Sequence, residues 1–186
     1  MAYLTQKELK ALGFKSLGEN VKVSTKASLY DVHLMELGDN VRIDDFCVVS
    51  GNVILKDSVW LAPFCLVAGG CKLEDLQEGG VLIQEYSAFS YGVKVFSRSD
   101  DYVGANTGVV EKVRIGKHCV FGANSVVFAG SKIGDYVSVG ALSFVKGVCR
   151  EYGVYAGIPV RLLQIKPCVC GGGGGNFFCP SSKGVA

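Results

Sequence analysis

Histidine is scarce in this chain. His33 and His118 are the only two among 186 residues, too few for a three-histidine zinc site drawn from one copy. Long apolar runs are missing too. No stretch of about eighteen apolar residues occurs, so no membrane span is expected. The N-terminus lacks a basic-then-apolar pattern, so no secretory signal is expected either. Charge of one sign is not in excess. The formal net charge is +2, which leaves no case for a nucleic-acid surface.

What the chain has is a period of six. Residues 115–150 open each block with an apolar residue: Ile115, Phe121, Val127, Ile133, Val139 and Val145. A small or β-branched residue stands four further on: Cys119, Ser125, Ser131, Val137, Ser143 and Cys149. The register recurs from Leu37 to Val67, from Ile83 to Val95 and from Leu17 to Leu29. The four runs hold three, six, three and six blocks, eighteen hexapeptides in all. Six matches neither the helical period nor strand alternation. It is the period of a parallel β-helix, and three blocks per triangular coil make six coils. The predicted fold is therefore all-β, a left-handed parallel β-helix of six coils. A short N-terminal capping helix precedes it, and a Gly-rich tail follows.

The repeat also explains the cysteines. Of eight, Cys47, Cys65, Cys71, Cys119 and Cys149 fall at the small inward position, where a thiol fills space. Free thiols point to a reducing, cytoplasmic compartment. Residues 1–16 hold a capping box, Thr5 to Glu8, with Gly13 ending the helix that caps the first coil. The β-helix occupies 17–150, with interruptions at 73–82 and 101–114. Each interruption follows a whole number of coils, so they leave one corner of the prism, a usual place for a binding face. Residues 151–166 read as a turn, an extended segment and a short helix, and 167–186 as a flexible tail. Cys168, Cys170 and Cys179 lack a fourth ligand nearby, so no metal is expected there.

The hexapeptides, followed by Ala156-Gly157-Ile158-Pro159-Val160-Arg161, resemble the left-handed β-helix acyltransferases over 3–166. Gly38–Cys47 and Ser97–Tyr102 are similar to galactoside O-acetyltransferase-like enzymes of surface-polysaccharide biosynthesis. The resemblance implies a homotrimer, acetyl-CoA as cosubstrate, and a sugar or sugar-nucleotide acceptor. It also implies that the backbone at Ala123 and Ala141 meets pantetheine, that Lys146 lies near the cofactor and that Arg161 meets a CoA phosphate. Arginine suits phosphate because its planar fork is permanently charged.

Acetyl transfer to a hydroxyl needs a base near pKa 7, usually histidine. Many relatives carry that histidine where Ser99 or Asp100 stands here, and the 101–114 loop is shorter than theirs. The candidate bases are therefore Asp100 and Asp101, since a second carboxylate at the same site raises a carboxylate's pKa, with His118 as second choice. The predicted activity is acetyl-CoA-dependent O-acetylation of a sugar. N-acetylation of an amino sugar, free or nucleotide-linked, is the alternative, since an amine can arrive with its proton already lost. Two rivals are an inactive β-helix scaffold and a zinc hydratase on the same fold.

Overall fold

The computed structural model describes residues 2–70, 79–99 and 109–167. Strands β1 (Ser16–Leu17), β2 (Lys22–Val23) and β3 (Ser28–Tyr30) are the three sides of the first coil. Each later coil repeats them, so three parallel sheets stack into a triangular prism. Their neighbours β4 (Glu36–Leu37), β5 (Arg42–Ile43) and β6 (Val48–Gly51) pair in register, Leu37 on Leu17 and Ile43 on Val23. The sheets are called here the first, second and third faces. The first corner joins faces one and two, the second corner faces two and three. The third corner leads to the next coil.

From coil two on, the described inward positions of the hexapeptide are buried, whereas Leu17, Ala27 and Leu29 of coil one are half-buried. Ile43, Leu61, Phe89, Phe121 and Val139 line one column at 0–3% exposure. Cys47, Cys65 and Cys119 are free and buried at the small position, as the repeat predicts; Cys149 is also free and buried, but it pairs with Ile133 and so takes the block-opening position instead. Each buried aliphatic side chain contributes about 1.5–3 kcal/mol. Burial pushes the Cys119 and Cys149 thiols up to about 11 from an ordinary 9.0. The folded thiols hold their protons more tightly than the unfolded ones. Their contribution is therefore complete below pH 9 and is lost as pH rises towards 11. The expected result is a urea midpoint that falls over that window, with a shallower fall in the Cys119→Ser/Cys149→Ser variant.

The start of the chain matches the sequence reading closely. α1 spans Gln6–Ala11, and Thr5 and Glu8 form the reciprocal capping box. Leu9 is fully buried, so the helix closes the open end of the core. Two details differ. The extra residues of coil one form a 3₁₀ turn at Val32–Leu34 on the third corner. His33 is thereby exposed, and Met35 fills the inward position expected for it.

The repeat also runs further than 150. A further coil begins early, with Val148–Cys149 on Lys132–Ile133 of the first face, and Gly153–Ala156 extends the second face past 150. Arg161–Ile165 then returns as an antiparallel strand on Gly153–Ala156, where a helix was predicted. An open sheet edge offers unpaired backbone groups, and this strand occupies it. Both long interruptions leave at the third corner, as expected. Strand Val81–Ile83 resumes the coil after the first, with the Gly80 amide donating to Gly70 O at 2.7 Å. Arg98–Ser99 and Val109–Val110 pair antiparallel at the base of the second.

Candidate functional site: the face between two corners

The i+3 residue of most first- and second-corner turns adopts positive φ. Among the described residues, twelve non-glycine residues have positive φ, among them Phe46, Phe64, Tyr86, His118, Asn124, Tyr136 and Tyr152. That conformation costs about 1–2 kcal/mol per residue. On the first corner the cost is offset by ring stacking, about 0.5–1.5 kcal/mol per pair. Tyr86, His118, Tyr136 and Tyr152 form one ladder with centroids 4.9 Å apart and nearly parallel rings. His118 is thus sandwiched between two tyrosines. It stands on a different corner from the loops and from Ala123. His118→Phe keeps the ladder and is expected to hold turnover within about twofold, read by steady-state kinetics at pH 7.

The second corner of coils five and six is built from small residues. Gly122 and Gly140 let the turns nest: a Cβ on Gly122 would stand 2.7 Å from the Gly140 carbonyl carbon. The Leu142 amide donates to Ala123 O at 2.9 Å, tying the two turns together. The amides of Ala123 and Ala141 have no hydrogen-bond acceptor among the described residues. Two free N–H groups one coil apart, about 4.8 Å, form a rail for an extended amide-bearing chain. Gly140 abuts Ala156, and Ala156 pairs with Arg161. Ala123, Ala141 and Arg161 therefore share one column.

Lys146 stands elsewhere. It lies on the third corner, with its ammonium 5.4 Å over the Phe128 ring. The third face runs between it and Ala141, carrying Val126, Phe144 and the tilted pair Phe128–Phe144. The hairpin base at Arg98–Ser99 is on the same corner as Lys146, two coils up. Asp100 and Asp101 lie outside the described residues. The site is accordingly a half-buried apolar face, bounded by free amides on one side and by the loop corner on the other. That shape suits a long, partly apolar ligand that brings its own amides and is charged at one end.

One polar cluster was not picked out from the sequence. Asp44, 1% exposed, accepts from Tyr3 Oη at 3.1 Å, Arg42 Nε at 2.7 Å and Trp60 Nε1 at 2.8 Å. The Arg42 guanidinium also lies over the Trp60 ring at 5.2 Å. The hydrogen bond to Asp44 raises the Arg42 pKa, and burial beside Asp44 raises that of Tyr3. The available signal was a carboxylate where other turns of this corner have Ala62, Gly122 or Gly140. Among the described residues, no three His, Cys, Asp or Glu side chains group as metal ligands. None of the described helices is long and apolar enough to cross a membrane.

Solved structures share this architecture. A maltose O-acetyltransferase from Clostridium difficile superposes with TM-score 0.55 at 18% identity, over 86% of this chain and 74% of that one. At that identity only the fold is shared. The nearer relatives carry more: this chain belongs to the hexapeptide-repeat, left-handed β-helix acyltransferases that act on sugars. It is 37% identical over 178 residues to the Escherichia coli dTDP-4-amino-4,6-dideoxy-D-glucose acyltransferase, covering 88% of each. It is 34% identical to AntD, an N-acyltransferase from Bacillus cereus solved with dTDP and 3-hydroxybutyryl-CoA. That match has TM-score 0.82 and covers 89% of this chain and 90% of that one. A serine-to-alanine variant of AntD, solved with dTDP-4-amino-4,6-dideoxyglucose and coenzyme A, gives TM-score 0.83 at 32% identity, over 89% and 91%. No family model matches the chain.

Proposed function

We propose that this protein is an N-acyltransferase. It moves a short acyl group, acetyl in the first instance, from acyl-CoA to the amino group of a dTDP-linked 4-amino-4,6-dideoxy sugar. The likeness to the E. coli enzyme over 88% of both chains carries this reading. It moves the acceptor from the hydroxyl favoured by the sequence to the amine that was its alternative. Such an acceptor also fits the lack of a histidine at the expected base position.

In the reaction the amine nitrogen attacks the thioester carbonyl. The C–N bond forms, the C–S bond breaks, and the coenzyme leaves as its thiolate. The ammonium proton must go to a base before or during attack. Asp100 is the assigned base. Variants of AntD change a serine and an aspartate ten residues apart. Ser90 and Asp100 repeat that spacing. Ser125 and Asp135 also do, but Ser125 is fully buried in the core. The amides of Ala123 and Ala141 hydrogen-bond pantetheine, Arg161 takes a phosphate of the coenzyme, and Lys146 faces the cleft from the third corner. The cleft is completed by a homotrimer packed on the apolar third face, which light scattering reads directly. Use of acyl-CoA as donor supports a cytoplasmic setting for the reaction.

The deciding experiment offers acetyl-CoA with dTDP-4-amino-4,6-dideoxyglucose or its 4-hydroxy counterpart, and follows free thiol. Release with the amine alone is expected. Release with the hydroxyl sugar alone would return the assignment to O-acetylation.

A further inference from the structure

Three lysines on this β-helix take carboxylate partners on the neighbouring coil. Lys15 meets Glu36 at 2.8 Å, Lys117 meets Glu85 at 3.4 Å, and Lys26 meets Asp45 at 3.6 Å. Arg114, Lys132 and Arg150 differ from these in where they stand. None has an ion pair among the described residues, yet all three line one cavity of about 580 Å³ on the first face. Glu151 is the one carboxylate on its wall and pairs with none of them among the described residues. Arg114 and Lys132 are register partners on adjacent strands. Their backbones stand about 4.8 Å apart, and like charges directly opposed across strands are destabilising. Three converging cations with one unpaired carboxylate form a wall that an anion stabilises.

We propose that this cavity is a phosphate site for one of the two substrates named above, so it rests on the N-acyltransferase reading. Arginine forks match phosphate oxygens in pairs, with lysine adding a point charge. The volume falls within the range that takes nucleotide-sized ligands. Two sources supply the chemistry: the 3′-phosphate of coenzyme A and the diphosphate of the dTDP-sugar. The first face lies across the prism from the second corner. A ligand held by both this cavity and the Ala123–Ala141 rail therefore bridges two subunits.

Arg114 and Lys132 are exposed and point away from the core, so Arg114→Gln/Lys132→Gln retains the fold. Calorimetric titration with coenzyme A, dephospho-coenzyme A and dTDP compares it with the wild type and with Lys7→Gln/Lys10→Gln on α1. A tenfold or greater weakening for coenzyme A, absent for dephospho-coenzyme A and for the helix variant, assigns the 3′-phosphate. The same weakening confined to dTDP assigns the diphosphate. Wild-type affinities throughout overturn the phosphate site and leave the N-acyltransferase reading standing. A wild-type protein that binds neither ligand overturns both.

Discussion

Replacing Phe121 with alanine is expected to cost about 3–5 kcal/mol of stability, the usual penalty for emptying a buried aromatic position. Phe121 and Phe89 are register partners on coils five and four. Their rings stack at 4.6 Å with 3° between planes, and both are 0–1% exposed. The removed ring therefore leaves a void that neighbours on the same rung cannot fill. A stacked-coil protein couples nearest neighbours most strongly. Lost hydrogen-exchange protection is thus expected in coils four to six, with coil one nearly unchanged. Those coils hold the hairpin base at Arg98–Ser99 and the Ala123–Ala141 rail, so acyl transfer should fall with the exchange protection. Urea unfolding at fixed protein concentration measures the cost. A loss below about 1 kcal/mol would mean that the core repacks around the void, contrary to its dense packing.

Asp100→Asn is expected to lower turnover by about 10²–10³-fold at pH 7, the scale of a removed general base. Binding of both substrates should be nearly unchanged, since the amide keeps the shape of the carboxyl. The deficit carries a pH signature. A sugar ammonium must lose a proton before it attacks, and above its own pKa it arrives neutral. Turnover of the variant should therefore climb with pH and approach the wild type on the alkaline side. Asp101→Asn is expected to stay within about threefold. A uniform deficit at every pH would make Asp100 an orienting group. Unchanged turnover would clear it altogether.

The hexapeptide made the fold legible because its period sets the direction of every side chain. Ile43, Phe121 and Val145 open their blocks, and all three are fully buried. The same period placed Cys47, Cys65 and Cys119, and the capping box placed α1. Where the period lapses, local pattern was a poorer guide. Residues 161–165 look helical alone but pair as a strand, because the edge at Gly153–Ala156 is there to receive them. His33 has an inward number in the repeat, but the longer third corner turns it outward.

For the site, the sequence by itself determined which residues are small, charged or able to accept a proton: Ala123, Ala141, Arg161 and Asp100 among them. Only the stacked coils decided which of these share a wall. Residue 114 lies opposite 132, eighteen positions on, whereas Val81 lies opposite Val113, across an insertion. Insertion length sets that offset, and no local pattern encodes it. For the same reason the tyrosine ladder that encloses His118, the Arg42–Asp44–Trp60 cluster and the convergence of Arg114, Lys132 and Arg150 emerge only in three dimensions. Their members are brought together by backbone hydrogen bonds between coils, which are indifferent to the side chains they align.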